Sequence, residues 1–335
     1  MFVSLACQRE RDPSLKTASS TSSGRAASSI TARTDPAERP IARVPTPDTL
    51  RGLYVNRWAA LGRKLNDLIG VAKRTEVNAL VIDVKDDRGF VLYPSRVPLA
   101  REIGADTADG HSLSRSRIRA ILDSMVAHRI YPIARIVVAK DPLLAQKKLD
   151  LAIKRKSDLK PWLDKNGNPW LDPHQRAVWQ YAADLALEAY DLGFSEVQFD
   201  YVRFPDEKRL INETVYPLAA GRTRAQVIRD QLGFLRRTLK HSGMRVTADV
   251  FGLTATDTTD MGIGQKWEMF VDQVDVVLPM VYPSHFARGT YKIGNPNAHP
   301  YAIIDHVLKD VIARTDSIPH AARIIPWYQD FTLGS

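Results

Sequence analysis

The sequence predicts an α/β protein with a barrel of the (β/α)8 type, preceded by a disordered N-terminal tail. From residue 51 onward, short β-branched segments alternate with longer amphipathic ones, which is typical of a parallel sheet covered by helices. One segment, Val274–Met280, is apolar almost throughout, as a strand buried on both faces requires. The sequence has neither the glycine-rich first turn of a doubly wound nucleotide-binding sheet nor a GxxxxGK[ST] phosphate loop. We therefore expect a barrel rather than a doubly wound open sheet.

Seven strands, with helices between them, are predicted in chain order. The predicted strands are Gly52–Val55, Ala79–Val84, Tyr131–Val138, Glu196–Phe199, Arg245–Val250, Val274–Met280 and Arg323–Pro326. The predicted helices are Leu61–Thr75, Ser114–His128, Gln175–Leu192, Arg224–Ser242, Gly264–Val271 and Pro300–Arg314. A complete barrel of this type has eight strand and helix units. The sequence therefore predicts a barrel that lacks its last unit.

The N-terminal part divides into two regions before the barrel of residues 49–335. Residues 1–7 resemble the end of a bacterial lipoprotein signal, with a short apolar run, small residues and then Cys7. An unstructured N-terminus with a chance cysteine is the alternative. Residues 8–48 are rich in Ser, Thr, Arg and Pro and predict a disordered linker. The lipoprotein interpretation implies an extracytoplasmic protein of the cell envelope, tethered to the membrane by a lipid on Cys7, or a secreted one.

The charge and the single cysteine exclude several classes of function. The formal net charge is +9, but Lys and Arg are scattered, and no nucleic-acid-binding motif accompanies them. Cys7 is the only cysteine, so neither a disulfide framework nor a cysteine-ligated metal site is available. The acids show no EF-hand spacing, and the histidines show no HExxH pattern. We expect a monomer without a metal, a cofactor or a nucleic-acid partner.

Polar and aromatic side chains follow nearly every predicted strand. These clusters are Asp83–Gly89, Lys140–Pro142, Asp200–Pro205, Asp249–Gly252, Tyr282–His285 and Trp327–Asp330. In a barrel of parallel strands the carboxyl ends meet on one face, where barrel enzymes carry their active sites. A single acid at such a position is more often a helix N-cap or a loop ion pair. Recurrence at six strand ends instead predicts one shared site.

Two of these acids, Asp200 and Asp249, could cleave a glycosidic bond, which requires one protonated and one ionised carboxyl group. Asp200 is followed by Arg203, whose guanidinium would keep a nucleophile or base ionised. Asp249 stands between Ala248 and Val250, and an apolar setting would raise its pKa toward that of an acid. The alternative for Asp249 is a barrel-interior carboxylate paired with a neighbouring Lys or Arg. Further candidates for the pair are Asp86, Asp87 and Asp330.

Aromatic side chains near the strand ends could stack on sugar rings while polar ones bind hydroxyl groups. The predicted substrate-binding residues are Lys85, Asp86, Tyr201, Tyr282, His285, Trp327, Gln329 and Asp330. Trp58, Phe204 and Tyr328 could line the same cleft. A turn at Asn166-Gly167 predicts an ordered loop that carries Trp162 and Trp170. Those two tryptophans either cover the site or pack the loop against the barrel.

From about residue 51 to the last residue, the chain resembles a bacterial family known as a "putative glycoside hydrolase domain", related to the α-amylase-like barrels. The resemblance rests on seven segments, 51–55, 81–87, 134–141, 198–205, 248–252, 279–285 and 326–331. It implies a barrel in which Asp200 is the nucleophile and an acid on a neighbouring strand donates the proton. The substrate would be a polysaccharide or oligosaccharide.

The chain departs from this family at its end. Family members continue through another helix to a final strand, whereas this chain ends at Ser335. Either the sequence is a fragment, or the barrel is open with an unpaired edge. Fold alone does not determine chemistry. The sequence is therefore consistent with a glycoside hydrolase of an envelope or extracellular polysaccharide and, alternatively, with a catalytically silent carbohydrate-binding barrel.

Overall fold

The computed structural model describes residues 2–4, 41–207 and 212–331, with only the backbone of residues 2–4. Its central feature is a parallel sheet in barrel form. The strands are β1 Phe2–Ser4, β2 Gly52–Val55, β3 Ala79–Lys85, β4 Tyr131–Val137, β5 Lys154–Arg155, β6 Glu196–Asp200, β7 Thr214–Val215, β8 Arg245–Phe251, β9 Val276–Val281, β10 Arg323–Ile324 and β11 Trp327–Gln329. The predicted α/β barrel class and its seven strands are confirmed.

The strands pair in the order β2, β3, β4, β6, β8, β9, and every pair is parallel. The last predicted strand, Arg323–Pro326, corresponds to β10 alone. Pro326 has no N–H to donate to a neighbour, and the strand continues after it as the unpredicted β11. Both parts pair with β9. Two-residue strands β5 and β7 form a separate antiparallel ribbon in the loops.

The edge that the sequence leaves open is occupied in the structure. Strand β1 lies between β11 and β2 and is parallel to both, with Phe2 opposite Trp327 and Gly52. These three residues join the two flanking strands into one continuous sheet. Of the two alternatives, an open barrel with an unpaired edge is not what the described residues show, because β1 takes up that position.

Helices surround the barrel and connect its strands. They are α1 Arg57–Leu61, α2 Lys64–Ala72, α3 Pro98–Ile103, α4 Arg115–Ala127, α5 Pro142–Lys147, α6 Arg176–Leu192, α7 Arg224–Leu239, α8 Trp267–Phe270 and α9 Pro300–Thr315. The helix predicted over Leu61–Thr75 is α2, which is shorter at both ends, and the unpredicted α1 precedes it and ends at Leu61 with Gly62 as its C-cap. Helices α3 and α5 were not predicted, and each begins with a proline in its first turn, where the missing N–H has no cost.

The apolar core has two layers. One lies between the strands and the helices, and the other fills the lower half of the barrel with side chains such as Val81, Ile133 and Leu278. Val44 and Leu50 belong to this inner layer, so the segment before β2 closes the amino end of the barrel.

This segment corrects the predicted linker boundary. Residues 41–48 have no helix or strand, but Arg43 donates a hydrogen bond to the Tyr190 carbonyl at 2.9 Å, and Thr46 bonds the Tyr131 hydroxyl at 3.2 Å. They therefore belong to the folded domain. Residues 5–40, with most of the predicted linker and Cys7, lie outside the described residues.

The turn after β8 predicts a packing requirement at Gly252. A Cβ atom there would lie 2.2 Å from the Met280 carbonyl oxygen of β9, whereas one at the exposed Gly294 would meet nothing within 4 Å. We expect Gly252→Ala to lower the free energy of unfolding by about 1–3 kcal/mol through overpacking. Gly294→Ala, the control, should change it by about 0.5 kcal/mol or less. Chemical denaturation measures both, and equal values for the two variants would contradict this packing.

Candidate active site

Four charged side chains meet inside the carboxyl end of the barrel, and we call them the Arg135 cluster. Arg135 of β4 donates from Nη1 to Asp83 Oδ1 of β3 at 2.5 Å and from Nε to Asp200 Oδ2 of β6 at 3.1 Å. Its Nη2 also bonds Asp200. Asp249 Oδ2 of β8 lies 3.8 Å from Nε. Three carboxyl groups thus share one guanidinium.

The alternation of side chains along each strand brings this cluster together. On β4, Tyr131 and Ile133 belong to the inner apolar layer, and Arg135 is the next residue on the same face. On β3, Ala79 and Val81 likewise precede Asp83. The register pairs Asp83 directly with Arg135, so the inner face changes from apolar to charged at the same height on both strands.

Asp83 is held by three donors. The Tyr54 hydroxyl donates to its Oδ2 at 2.7 Å, the Arg57 N–H donates to the same oxygen at 3.3 Å, and Arg135 donates to Oδ1. Burial raises the pKa of Asp83 to about 6, although Arg135 and the Tyr54 hydroxyl act in the opposite direction. Burial also raises the pKa of Tyr54 well above its ordinary value, so Tyr54 is a donor at neutral pH.

Asp249 is the most deeply enclosed carboxyl group of the cluster, at 1% exposure. The Gln198 amide donates to Oδ1 and Oδ2 at 2.7 and 2.8 Å, and the Trp327 indole donates to Oδ1 at 2.7 Å. Burial and then the charge of Asp200 raise the pKa of Asp249 well above its usual range, against Arg135 and the two donors. The sequence also predicted a raised pKa for Asp249, but it predicted apolar surroundings, whereas the groups around the carboxylate are polar.

Asp200 ends β6 beside a strained residue. Tyr201 has a φ of +52°, a left-handed conformation that a bulky side chain rarely adopts. This conformation lets the Tyr201 N–H donate to Asp200 Oδ1 at 2.5 Å, while Oδ2 bonds Arg135. Backbone strain of this kind is frequent at functional sites, where surrounding contacts maintain it.

A small cavity opens beside the cluster. It has a volume of ≈ 60 Å³ and is lined by Tyr54, Arg135, Asp200, Asp249, Met280, Tyr282 and Trp327. The structure therefore brings the predicted residues Asp200, Asp249, Tyr282 and Trp327 together. This volume has room for water molecules but is well below the ~300–1,000 Å³ that is typical of ligand pockets.

A second, larger cavity of ≈ 260 Å³ lies at the carboxyl ends of β9 and β11. Its lining residues are Pro283, Asn297, Pro300, Gln329, Asp330 and Phe331. The Tyr282 ring, which lines the small cavity, contacts the Phe331 ring edge-on at 5.4 Å. We call this second space the rim cavity, and it contains the predicted residues Gln329 and Asp330. His285 is exposed at the same rim, where its ring contacts Tyr282 at 5.2 Å.

The expectation that Arg203 neighbours Asp200 is wrong. Arg203 Nη1 bonds the Phe204 carbonyl at 3.1 Å and lies 3.4 Å from Asp206. Its guanidinium also lies over the rings of Trp170, Tyr201 and Phe251, at 4.4 to 5.1 Å. The guanidinium that contacts Asp200 belongs to Arg135 of the neighbouring strand, which is near in space but distant in sequence.

Two predicted substrate-binding residues are occupied elsewhere. Lys85 is buried and forms an ion pair with Asp141 at 2.8 Å, because a bulge between Asp83 and Lys85 interrupts the alternation of β3. The Asp86 carboxylate accepts the N–H groups of Arg88 and Phe90 at 3.0 and 2.9 Å and so closes a turn in its own loop. Neither side chain is free to bind a sugar in this arrangement.

The remaining predicted residues lie around the mouth. The Tyr201 hydroxyl is 3.5 Å from Lys140, which pairs with Asp87 at 2.7 Å. Trp162 and Trp170 are buried and pack the loop against the barrel, which was one of the two alternatives for them. Phe204 is buried against Tyr216 and His174.

Four residues of the site received no role from the sequence: Tyr54, Asp83, Arg135 and Gln198. Asp83, Arg135 and Gln198 could have been identified from the sequence, because a charged or amide side chain in a buried strand needs a partner inside the barrel. Among the residues that the structure describes, no group of three His, Cys, Asp or Glu side chains is arranged to hold a metal ion. Within the same residues no helix is long and apolar enough to cross a membrane.

A (β/α) barrel with carboxyl groups gathered at its carboxyl end is the architecture of a large class of barrel enzymes. Over residues 52–335 the chain matches the family described as "Putative glycosyl hydrolase domain", and it belongs to that family. In the comparison with curated proteins, which is separate from the comparison with solved structures, no protein matches the chain.

The solved structures that are similar to this one include the following three. A hypothetical protein from Ruminiclostridium thermocellum is 35% identical with a TM-score of 0.51, and the match covers 59% of this chain and 97% of that protein. The glycoside hydrolase domain of PgaB from Bordetella bronchiseptica is 14% identical with a TM-score of 0.56, over 84% of each chain. The chitobiase of Flavobacterium johnsoniae is 13% identical with a TM-score of 0.54, over 83% of this chain and 38% of the chitobiase. The two weaker identities show a shared fold.

The Arg135 cluster makes stability depend on one cation. We expect Arg135→Met to lower the free energy of unfolding by about 3–5 kcal/mol at pH 7, because it leaves buried carboxyl groups without a counter-charge. The loss should be smaller at pH 5. The folded-state pKa of Asp83 and Asp249 is raised, so the folded protein binds protons more readily than the unfolded chain as the pH falls.

Urea denaturation at pH 7 and pH 5 measures this effect. The control is Arg119→Met, which breaks an exposed pair with Asp123 on α4 and should cost less than about 1 kcal/mol at either pH. A loss for Arg135→Met that is as small as that of the control, or equal at both pH values, would show that the carboxyl groups do not depend on Arg135.

Proposed function

We propose that the protein hydrolyses glycosidic bonds of an envelope or extracellular polysaccharide, with Asp200 and Asp249 as the carboxyl pair. One observation carries this proposal. Two carboxyl groups from neighbouring strands face one cavity at the carboxyl end of the barrel, and a single guanidinium lies beside both. The family to which the chain belongs supports the same class of reaction.

The two carboxyl groups have different surroundings, as the reaction requires. Asp249 has a raised pKa and is the proton donor in this proposal. Asp200 forms an ion pair with Arg135, so it is the nucleophile or the base that activates water. Their Oδ2 atoms lie 3.1 and 3.8 Å from one Nε atom, so they are less than about 7 Å apart. This upper limit on the distance between the two Oδ2 atoms is compatible with the ~5–5.5 Å between the carboxyl groups of retaining enzymes.

The charge of the cluster suits the transition state of glycosidic cleavage, in which positive charge develops on the sugar ring. With Asp249 protonated, Asp83 and Asp200 still face a single guanidinium, so the cluster has a net negative charge when both are ionised. Fixed negative charge in a site with little water stabilises a cation there more strongly than it would in bulk water.

The rim cavity supplies the space that the small cavity lacks. We propose that it holds one sugar unit, with Asn297, Gln329 and Asp330 bonding its hydroxyl groups and Phe331 contacting its apolar face. Tyr282 then separates the bound sugar from the carboxyl pair. N-acetylglucosamine oligosaccharides are the first substrates to test, since one structural neighbour is a chitobiase.

A second function, a carbohydrate-binding barrel without catalysis, is favoured by one observation. Asp200 has both oxygens engaged, by Arg135 and by the Tyr201 N–H, and the cavity beside it has a volume of only ≈ 60 Å³. A protein of this kind would use the rim residues for binding and the Arg135 cluster for stability. Binding without any turnover would distinguish it from a hydrolase.

The variant Asp200→Asn separates these two functions. If the protein is a hydrolase, kcat should fall by several orders of magnitude, because the nearly isosteric amide is neither a nucleophile nor a base. Binding of the same oligosaccharide should change little. Reducing-sugar release and isothermal titration calorimetry measure the two quantities, with Asp123→Asn as an exposed control. Near-normal turnover of Asp200→Asn would reject the assignment of Asp200.

We also propose that the protein acts outside the cytoplasm as a monomer and that Cys7 carries a lipid tether. The proposal rests on the apolar segment Met1–Cys7 and the polar segment that follows it. Incorporation of labelled palmitate into the full chain, lost in Cys7→Ser but kept in Ser4→Ala, is the expected result. Removal of the signal at Cys7 would also remove β1. Label that persists in Cys7→Ser, or that is absent from the parent, would reject the tether.

A further inference from the structure

Trp58 differs from every other tryptophan of the chain. It is 49% exposed, whereas each of the other five is at most 3% exposed. It is the second residue of α1, directly after β2, and so lies at the carboxyl end of the barrel. This large indole lies on the face that carries the Arg135 cluster and exposes apolar surface to water. That exposure is unfavourable, and a ligand that covers the ring would remove it.

The Trp58 ring contacts two polar neighbours. The Arg88 guanidinium lies 4.9 Å from its centroid, and the His111 ring contacts it edge-on at 5.2 Å. We call these three residues the Trp58 platform. Arg88 also pairs with Asp86 at 3.2 Å, and Asp109 lies 3.6 Å from it.

The backbone beneath the platform is anchored by hydrogen bonds of Arg57. The Arg57 side chain is buried and binds Asp109 through two hydrogen bonds of 2.7 and 3.0 Å. The Arg57 N–H donates to Asp83 of the Arg135 cluster at 3.3 Å. Trp58 therefore directly follows, in the sequence, a residue whose backbone contacts the Arg135 cluster. A ring fixed before binding loses little conformational entropy when a ligand stacks on it.

We propose that the Trp58 platform is a second sugar-binding subsite, on which a pyranose ring of the same chain stacks while another part of that chain lies at the Arg135 cluster. This inference rests on the proposed function and extends it to the substrate class, because a protein with a remote subsite acts on long oligosaccharides or polysaccharides. The exposed indole contacts the C–H face of the sugar. Arg88, whose side chain is 40% exposed and whose guanidinium lies 4.9 Å from the indole centroid, can bond the hydroxyl groups at its edge.

The test begins with the full-length protein on an array of β-linked chitin, cellulose and laminarin oligosaccharides, followed by titration of the disaccharide and hexasaccharide of the strongest ligand. We expect Trp58→Ala to weaken hexasaccharide binding by about three- to tenfold, the effect of one aromatic stacking contact. Disaccharide binding and turnover should not change. Trp58→Phe, which keeps a flat ring, should retain most of the hexasaccharide affinity.

The control is Ile312→Ala, which removes an exposed apolar side chain from α9 and should change neither affinity. Thermal melting of each variant confirms that the fold is intact. If the parent binds the hexasaccharide and Trp58→Ala binds it equally well, the platform is rejected while the proposed function stands. If Trp58→Ala weakens both ligands equally, a remote subsite is rejected as well. If the parent binds no oligosaccharide on the array, both the platform and the proposed function are rejected.

Discussion

The carboxyl half of this barrel depends on one guanidinium. Arg135 bonds Asp83 on one side and Asp200 on the other, and it lies beside Asp249, so carboxyl groups from three strands meet at a single cation on a fourth. Below this level the inner side chains are apolar, as in Val81 and Ile133. The cost of burying Arg135 and its carboxyl partners is offset only while they remain together, which constrains the spacing of the surrounding strands.

The geometry of the Arg135 cluster suits two roles, an ion-pair network that stabilises the fold and a carboxyl pair for catalysis. Raised pKa values at Asp83 and Asp249 arise first from burial, which any sealed carboxyl group would experience. The strained Tyr201 and the cavity beside Asp200 are not required for an ion-pair network. These two features favour chemistry at the end of β6, while the enclosure of Asp249 favours a structural contribution.

Much of the fold could be predicted from the sequence, because its strands are long apolar runs and its helices have a clear polar face. The meeting of Asp200 with Asp249 followed from their positions at the ends of neighbouring strands. Arg203 and Lys85 were harder, since each depends on a local irregularity. The left-handed Tyr201 precedes Arg203, and the bulge in β3 reverses the face of Lys85. Neither irregularity has a glycine or proline to mark it in the sequence. The alternation of side chains along β4 could have predicted that Arg135 faces the inside of the barrel, as Tyr131 and Ile133 do.

The position of β1 has a consequence for how the barrel meets its surroundings. Three residues separate β11 from β2, and their parallel pairing satisfies backbone groups on both flanking strands. A chain shortened at Cys7 lacks these residues and presents a slot with two unpaired borders. Two unpaired borders of this kind are the geometry on which strand complementation depends. Closure of this barrel therefore depends on a segment that is distant in sequence from β11, one of the two strands it pairs with.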